Sequence, residues 1–274
     1  MLEIKAKAAR EGIAVRLIVY DLGSMGACPT ADGSSTEASA VWARHGIEHR
    51  VFDFAGYPKH VSTLHCYAWK APCVVAVAKE VGNSSVVMWV DSGATVLSPL
   101  RAIIQDARND GFVSDDTALS LARFSHEGML DFFVEKFGLS TAVRDDLVSK
   151  RRAGEQRLDK LDGLGEALHK FKNCNGAFSA HVFGSKLYEA ISEKWLVCSL
   201  SRDCVCPAGS SRSNHRQDQA ALTMLALQSD YVCGARGKAV SAHGMRQPIM
   251  GILVKHGAAT QDQDQKRVFC ASRS

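Results

Sequence analysis

The sequence lacks any long apolar run. Its longest, such as Cys73 to Ala78 and Val86 to Val90, fall far short of the roughly 20 residues a membrane-spanning helix needs. The N-terminus, MLEIKAKAAREG, is charged and has no apolar h-region, so no signal peptide is visible. The expectation is a cytosolic protein, or the soluble part of something longer. Strong charge bias is missing as well: 33 basic against 29 acidic residues leave a net charge of +4. That is too small to argue for nucleic acid, and the basic residues are not arranged with exposed aromatics as single-strand binders need. A local basic cluster can still bind phosphate. There is no G-x-G-x-x-G after the first strand and no G-x-x-x-x-G-K-[ST], which disfavours dinucleotide and P-loop readings. Neither G-x-S-x-G nor H-E-x-x-H occurs, and no internal repeat is present.

What the chain does have is an ordinary globular mixture, 46% apolar and 23% charged over 274 residues. This is enough for a sizeable core, and it excludes a disordered tail, a collagen-like rod and a disulfide-dense miniprotein. Nine cysteines is a high and odd count. Cys198, Cys204 and Cys206 are close together, whereas Cys28, Cys66, Cys73, Cys174, Cys233 and Cys270 are scattered. No pair of C-x-x-C motifs marks a zinc site. Buried free thiols are the expectation. The alternative is a disulfide from Cys198 to Cys204 or Cys206, which needs an oxidising compartment.

Strands alternate with helices. VRLIVY (Val15 to Tyr20) and IEHRVFDF (Ile47 to Phe54) read as strands, with a helical stretch around Thr36 to His45 between them. A helix starts near Ala71, with Pro72 in its first turn and Gly82 past its end. The continuous apolar run Ser85 to Val90 reads as a buried strand. Another helix follows, with Ser98 as N-cap, Pro99 at its first position and Gly111 beyond its end. This order argues for an α/β fold with a largely parallel sheet. From Ser140 to Lys172 the chain is rich in charge, and Leu158, Leu161, Leu164, Leu168 and Phe171 are spaced for one helix face. CNGAFSAHVF (Cys174 to Phe183) reads as a strand, SKLYEAISEKW as a helix, PAGSSRSNHR as a loop and QDQAALTMLALQ as a helix. IMGILV is a last strand, and a polar tail runs from Gln261.

Three places can carry chemistry. Asp91 sits at the carboxyl end of a buried strand, where open α/β sheets place ligand-binding residues. It either holds a divalent metal against a diphosphate or shapes a D-S-G turn. Asp218 lies in NHRQDQ at a helix start, where it favours the dipole. Yet Asn214, His215, Arg216, Asp218 and Gln219 cluster within six residues after Arg212, more donors and acceptors than a cap requires. Asn175 and Gly176 form a third place, with a turn as the plain alternative.

Taken in order, VRLIVYDLG, YPKHVSTLHCYAWKAP, VVMWVDSG, CNGAFSAHVF and NHRQDQAALTML resemble the segments of a GT-A type glycosyltransferase, of the glycogenin-like nucleotide-diphospho-sugar transferase superfamily. YAWK with WVDSG is also similar to a eukaryotic family of uncharacterised glycosyltransferase-like domains. The likeness spans about Val15 to Gln228, outside Ser140 to Lys172. It implies an α/β, Rossmann-like fold with a mostly parallel central sheet and a helical excursion in the middle. One domain would cover residues 1–260, with a nucleotide-binding half over 15–111, a donor-sugar and acceptor half over 112–260, a helical insertion at 140–172 and a tail at 261–274.

By the same resemblance Asp91 matches the first carboxylate of an Asp-x-Asp motif, Asn175 or Cys174 with Gly176 the strand under the sugar, and Asp218 with Gln219 an Asp-Gln pair beside the donor. Asp91, Asp218 and Gln219 are then the catalytic set. Tyr20, Asp21, Lys70, Ser92, Gly93, Asn175, Gly176, Arg212, His215 and Arg216 are the substrate-binding set. The chain departs from the motif at Gly93, which replaces the second carboxylate. A manganese or magnesium ion on Asp91 would need another ligand, His256 or His243. Otherwise Lys70, Arg212 and Arg216 take over from the metal, Arg pairing well with diphosphate oxygens. The implied partners are a nucleotide-sugar donor and a glycan, lipid or protein acceptor, and the implied place is the Golgi lumen behind an upstream anchor. Two other readings compete: a GT-A-like module that binds a nucleotide sugar without transfer, and a nucleotidyltransferase, disfavoured because DLGSMGACP has glycines but no cation.

Overall fold

The computed structural model describes residues 1–23, 36–92, 94–96, 98–153 and 172–234. The charged N-terminal segment is helix α1 (Leu2–Arg10), rich in the strong helix formers Ala, Leu, Glu, Lys and Arg, and it buries Ile4 and Ala8. Strand β1 (Ile18–Asp21), helix α2 (Thr36–Arg44) and strand β2 (Glu48–Val51) follow, and the two strands pair in parallel. Both are shorter than expected. After β2 the Asp53 carboxylate accepts the Ala55 N–H at 2.9 Å and turns the chain into short 3-10 helices (Phe54–Gly56, Lys59–Ser62 and Leu64–Cys66) instead of continuing the strand.

Helix α3 (Lys70–Val81) ends at Gly82 as its stop signal predicts, and β3 (Val86–Val90) is the expected apolar strand. Helix α4 (Leu100–Asp110) and β4 (Phe112–Val113) come next. Pro99, and not Ser98, is the N-cap of α4. The orphan N–H groups of its first turn are instead met from α1's end: the Glu11 carboxylate accepts from Leu100 at 3.0 Å and Arg101 at 2.8 Å. Strand β5 (Asp116–Ser120), α5 (Glu127–Phe137) and α6 (Thr141–Ala153) lead into β6 (Lys172–Cys174) and β7 (Phe178–Val182). The single strand expected over Cys174 to Phe183 is therefore two, split where Asn175 Oδ1 accepts the Ala177 N–H at 3.0 Å and turns the chain. A π-helical turn (Tyr188–Glu193), α7 (Lys194–Ser199), α8 (Arg202–Val205) and α9 (Gln217–Gln228) complete the described chain. The apolar face from Leu158 to Phe171, the IMGILV strand and the polar tail lie outside the described residues.

The fold is α/β, but its strand pairing corrects the largely parallel expectation. β3 and β4 each run antiparallel to β7, which lies between them. The β3–α4–β4 crossover thus makes two parallel strands, as alternation implies, and a later strand of opposite direction fills the slot. β5 and β6 form a separate antiparallel pair, so β1–β2 is the one parallel ladder among the described residues.

Period-two alternation sorts the central sheet's side chains into two cores. Val86, Met88, Val90, Val113, Phe178, Ala180 and Val182 pack with α1 and α4, and Val87 and Phe112 pack on the other side with α3, α7 and α9. On that second side β7 buries His181, which bonds Ser192 Oγ at 2.7 Å and Ser179 Oγ at 2.8 Å and lies flat against Trp195. Burial lowers its pKa to about 3, so it stays neutral.

The expected free thiols are corrected too. Cys66–Cys206, Cys174–Cys233 and Cys198–Cys204 are disulfides, and Cys73 is a buried free thiol. No described helix is long and apolar enough to cross a membrane. Glu11→Ala should remove both acceptors at α4 and cost about 1 kcal/mol, read as a lower melting temperature, whereas Glu11→Gln should lose less.

Candidate functional site

The site is built around Lys70, the first residue of α3, whose side chain is buried. A buried ammonium requires anions and acceptors. It lies 2.8 Å from Asp91 Oδ1 and 3.1 Å from Oδ2, donates to the Gly176 carbonyl at 2.8 Å, and stands 3.7 Å from Asp218 Oδ2. Its Nζ is also 5.2 Å from the Tyr67 ring centre and 5.8 Å from those of Trp69 and Trp89. Trp69 and Trp89 meet edge to face, and the Trp89 indole N–H donates to Asp91 Oδ1 at 2.7 Å. One cation therefore joins the start of α3, the end of β3, the β6–β7 turn and the start of α9.

Asp218 is the unusual member. It is 4% exposed, and its Oδ2 has no hydrogen-bond partner among the described residues. Burial raises its pKa to about 7 and outweighs the opposing pull of Lys70. Lys70 itself is held above its ordinary value against its own burial, by Asp218 and Asp91. The distances reconcile the two: Asp91 touches the ammonium directly and Asp218 stands farther off, so Asp218 keeps its proton until near neutrality. Trp195 Nε1 fixes the Asp218 carbonyl at 3.2 Å, and the residue before it, Gln217, is left-handed with φ of 42°. Such backbone in a non-glycine residue persists only where its surroundings hold it. Gly176 allows the close approach of its turn to α9. A β-carbon there would lie 3.2 Å from Gln219 Cβ and 3.5 Å from Asp218 Oδ2.

The structure thus brings together Asp91, Lys70, Gly176, Asp218 and Gln219 from the expected set. Gln219 lies on the β5 side, donating to Thr117 Oγ1 at 3.4 Å. Asn175 builds the turn beneath them, and Ser92 is exposed beside Asp91. Arg212 donates to the Tyr67 hydroxyl and lies over its ring. Arg216 lies 5.0 Å above the Phe124 ring, with a buried Nε that has no hydrogen-bond partner among the described residues. Burial, then the neighbouring Arg212, lower its pKa.

Other expected residues stand elsewhere. Tyr20 and Asp21 end β1, where the Tyr20 hydroxyl accepts from Arg50 and Asp21 faces His49 at 3.7 Å. His215 is fully buried, with Nδ1 accepting from the His126 N–H at 3.3 Å and Nε2 donating to the Val205 carbonyl at 3.2 Å. It is lowered to about 4 by burial, and it holds loops together. Gly93, His243 and His256 lie outside the described residues. Tyr67 and Trp69 were visible only as aromatic residues ahead of a helix, and nothing in the spacing shows that they face a lysine.

These residues do not fit a divalent cation on Asp91. Both of its oxygens face Lys70, and Trp89 takes Oδ1 as well, so a metal would have to displace an ammonium from its own counter-ions. His65, Cys66 and Cys206 also stand close enough to hold an ion, but the two sulfurs are bonded to each other.

Compared with known protein families, characterised proteins and solved structures, the chain matches none.

Asp218 gives a pH signature. Its folded pKa of about 7 lies above the ordinary 3.8, so between these values the folded state alone keeps the proton. Its contribution to stability is full below about pH 4 and is lost as pH rises through 7. Asp218→Asn, neutral throughout, should gain stability relative to the natural chain from pH 4 to 8, measured by urea unfolding at each pH.

Proposed function

We propose that the chain is a glycosyltransferase of GT-A-like architecture, moving a sugar from a nucleotide-sugar donor to a glycan, lipid or protein acceptor. The observation that carries this reading is the convergence of Asp91, Gly176 and Asp218 on Lys70, three segments far apart in sequence. Each is a segment whose wording resembles a donor-site motif. The aromatic faces of Tyr67, Trp69 and Trp89 beside a few directed polar groups have the make-up of a small-molecule site.

In this reading Asp218 and Gln219 hold hydroxyls of the donor sugar. Asp218, with an unpartnered oxygen and a pKa of about 7, is also suited to accept the proton of an acceptor hydroxyl as its oxygen attacks. The departing diphosphate is met by Arg216, whose buried Nε–H lacks an acceptor, and by Arg212 at the rim. Lys70 offsets the charge of Asp91 and Asp218, so that a diphosphate does not meet two bare carboxylates. The positive charge is thus the chain's own, and the proposed chemistry is metal-independent. The three disulfides among the described residues favour an oxidising compartment, lumenal or extracellular, as the place of work.

A second reading, a module that binds a nucleotide sugar without transfer, draws on the same ion pair, because both Asp91 oxygens already meet Lys70 and one also meets Trp89. Thermal melting with a panel of nucleoside diphosphates, with and without manganese, tests both. A ligand at 100 times its dissociation constant adds about 2.7 kcal/mol of stability. The expected result is a shift with one nucleotide that manganese does not enlarge, and no shift with any nucleotide contradicts both readings. Asp218→Asn should then cut transfer by about 100-fold or more while nucleotide binding persists. Binding without transfer in the natural chain favours the module.

A further inference from the structure

The three disulfides among the described residues differ in how they can be reached. Five of their six cysteines are buried, and Cys206 is half-buried. Beside it stands the exposed imidazole of His65, with a ring nitrogen and the two sulfurs of Cys66 and Cys206 all within 4.8 Å of one another. Thiolate attack needs an approachable sulfur, and it runs faster when the departing sulfur is stabilised by a nearby proton donor. Cys66–Cys206 has the imidazole beside it and one end that is only half-buried, whereas the other two bonds are buried at each end.

The bond also stands at a structural junction. Cys66 leads directly into Tyr67, Trp69 and Lys70, and Cys206 opens the loop that carries Arg212 and Arg216 and leads into α9 with Asp218. It ties together segments 140 residues apart in the sequence. On each side of it a non-glycine residue is held left-handed, Tyr67 at φ 54° and Gln217 at φ 42°. The Arg212–Tyr67 hydrogen bond and ring contact cross the same junction.

We propose that Cys66–Cys206 is a thiol–disulfide exchange site for dithiol reductants, and that its opening loosens the Lys70–Asp218 site. One thiolate of the dithiol attacks Cys206 Sγ and forms a mixed disulfide. Cys66 Sγ leaves with the electron pair and takes a proton, with His65 as the nearby donor. The second thiol of the reductant then displaces Cys206. The protein gains two thiols, and the reductant becomes the disulfide. Without the bond, the segment around Tyr67 and the loop from 207 to 216 lose their covalent tie. The inference goes beyond sugar transfer, because it rests on the site's geometry and not on its substrate.

The folded chain is titrated with dithiothreitol, quenched with iodoacetamide and mapped by mass spectrometry, with hydrogen exchange read on matched samples. Cys66 and Cys206 should be labelled at reductant levels that leave Cys174, Cys233, Cys198 and Cys204 protected. Exchange should rise in segments 67–70 and 207–218 once this bond opens, and His65→Ala should slow the opening several-fold. A Cys66→Ser, Cys206→Ser double variant should show the same exchange pattern without reductant, and a Cys198→Ser, Cys204→Ser variant should not. Opening of all three bonds together, opening of Cys66–Cys206 last, an unchanged rate in His65→Ala, or unchanged exchange after cleavage would each overturn the proposal.

Discussion

A lysine ammonium cannot be taken out of water without anions and acceptors to replace its hydration. At Lys70 that requirement is met by Asp91, Asp218 and the Gly176 carbonyl, one from each of three different parts of the chain. Satisfying one cation fixes where β3 ends, how the β6–β7 turn lies and how α9 begins. It also sets the site's electrostatics. Asp91 is the direct counter-ion, which leaves Asp218 buried, only partly compensated and protonated until near neutrality. The candidate site is therefore a product of one ion pair and the packing that encloses it.

The surrounding structure serves to keep that pair in place. Tyr67, Trp69 and Trp89 exclude water from the ammonium, and Trp89 fixes one Asp91 oxygen. The left-handed Gln217 tilts the first turn of α9 so that Asp218 lies inside, and Trp195 holds its carbonyl. Arginines crowd the next stretch without carboxylate partners among the described residues. Arg212 and Arg216 lie on aromatic faces, and Arg216 carries a buried N–H with nothing to donate to. Cationic groups left in this state beside a neutralised acid pair suit an anionic ligand better than a divalent cation.

Part of this is legible in the residues. The apolar run ending at Val90 reads as a strand, which places Asp91 at its carboxyl end; the strand forms, though only Val87 of it is buried. QDQAALTMLALQ is helical by spacing and begins where expected, which places Asp218 and Gln219 in its first turn. Other features depend on neighbours that spacing does not reveal. The α4 cap is supplied by Glu11, about ninety residues away, so the local Ser98–Pro99 signal misleads by one position. β7 reads as a strand, but its insertion between β3 and β4, in the opposite direction, is a matter of tertiary pairing. The cysteines give the plainest case: Cys66 and Cys206 are far apart in sequence and adjacent in space, so no spacing rule finds them. His215, conspicuous among polar neighbours, is drawn into the core because backbone groups of two loops need its ring.

The most direct test of the account is a double-mutant cycle on the central pair, with Lys70→Met, Asp91→Asn and the double variant compared by urea unfolding at pH 7. Each single change strands a charge made for the other, so the double variant should be more stable than the sum of the two losses implies, with an interaction energy of about 1.5 kcal/mol or more. Additive losses, within about 0.5 kcal/mol, would mean that Lys70 and Asp91 do not act as a pair, and the site as described here would not stand.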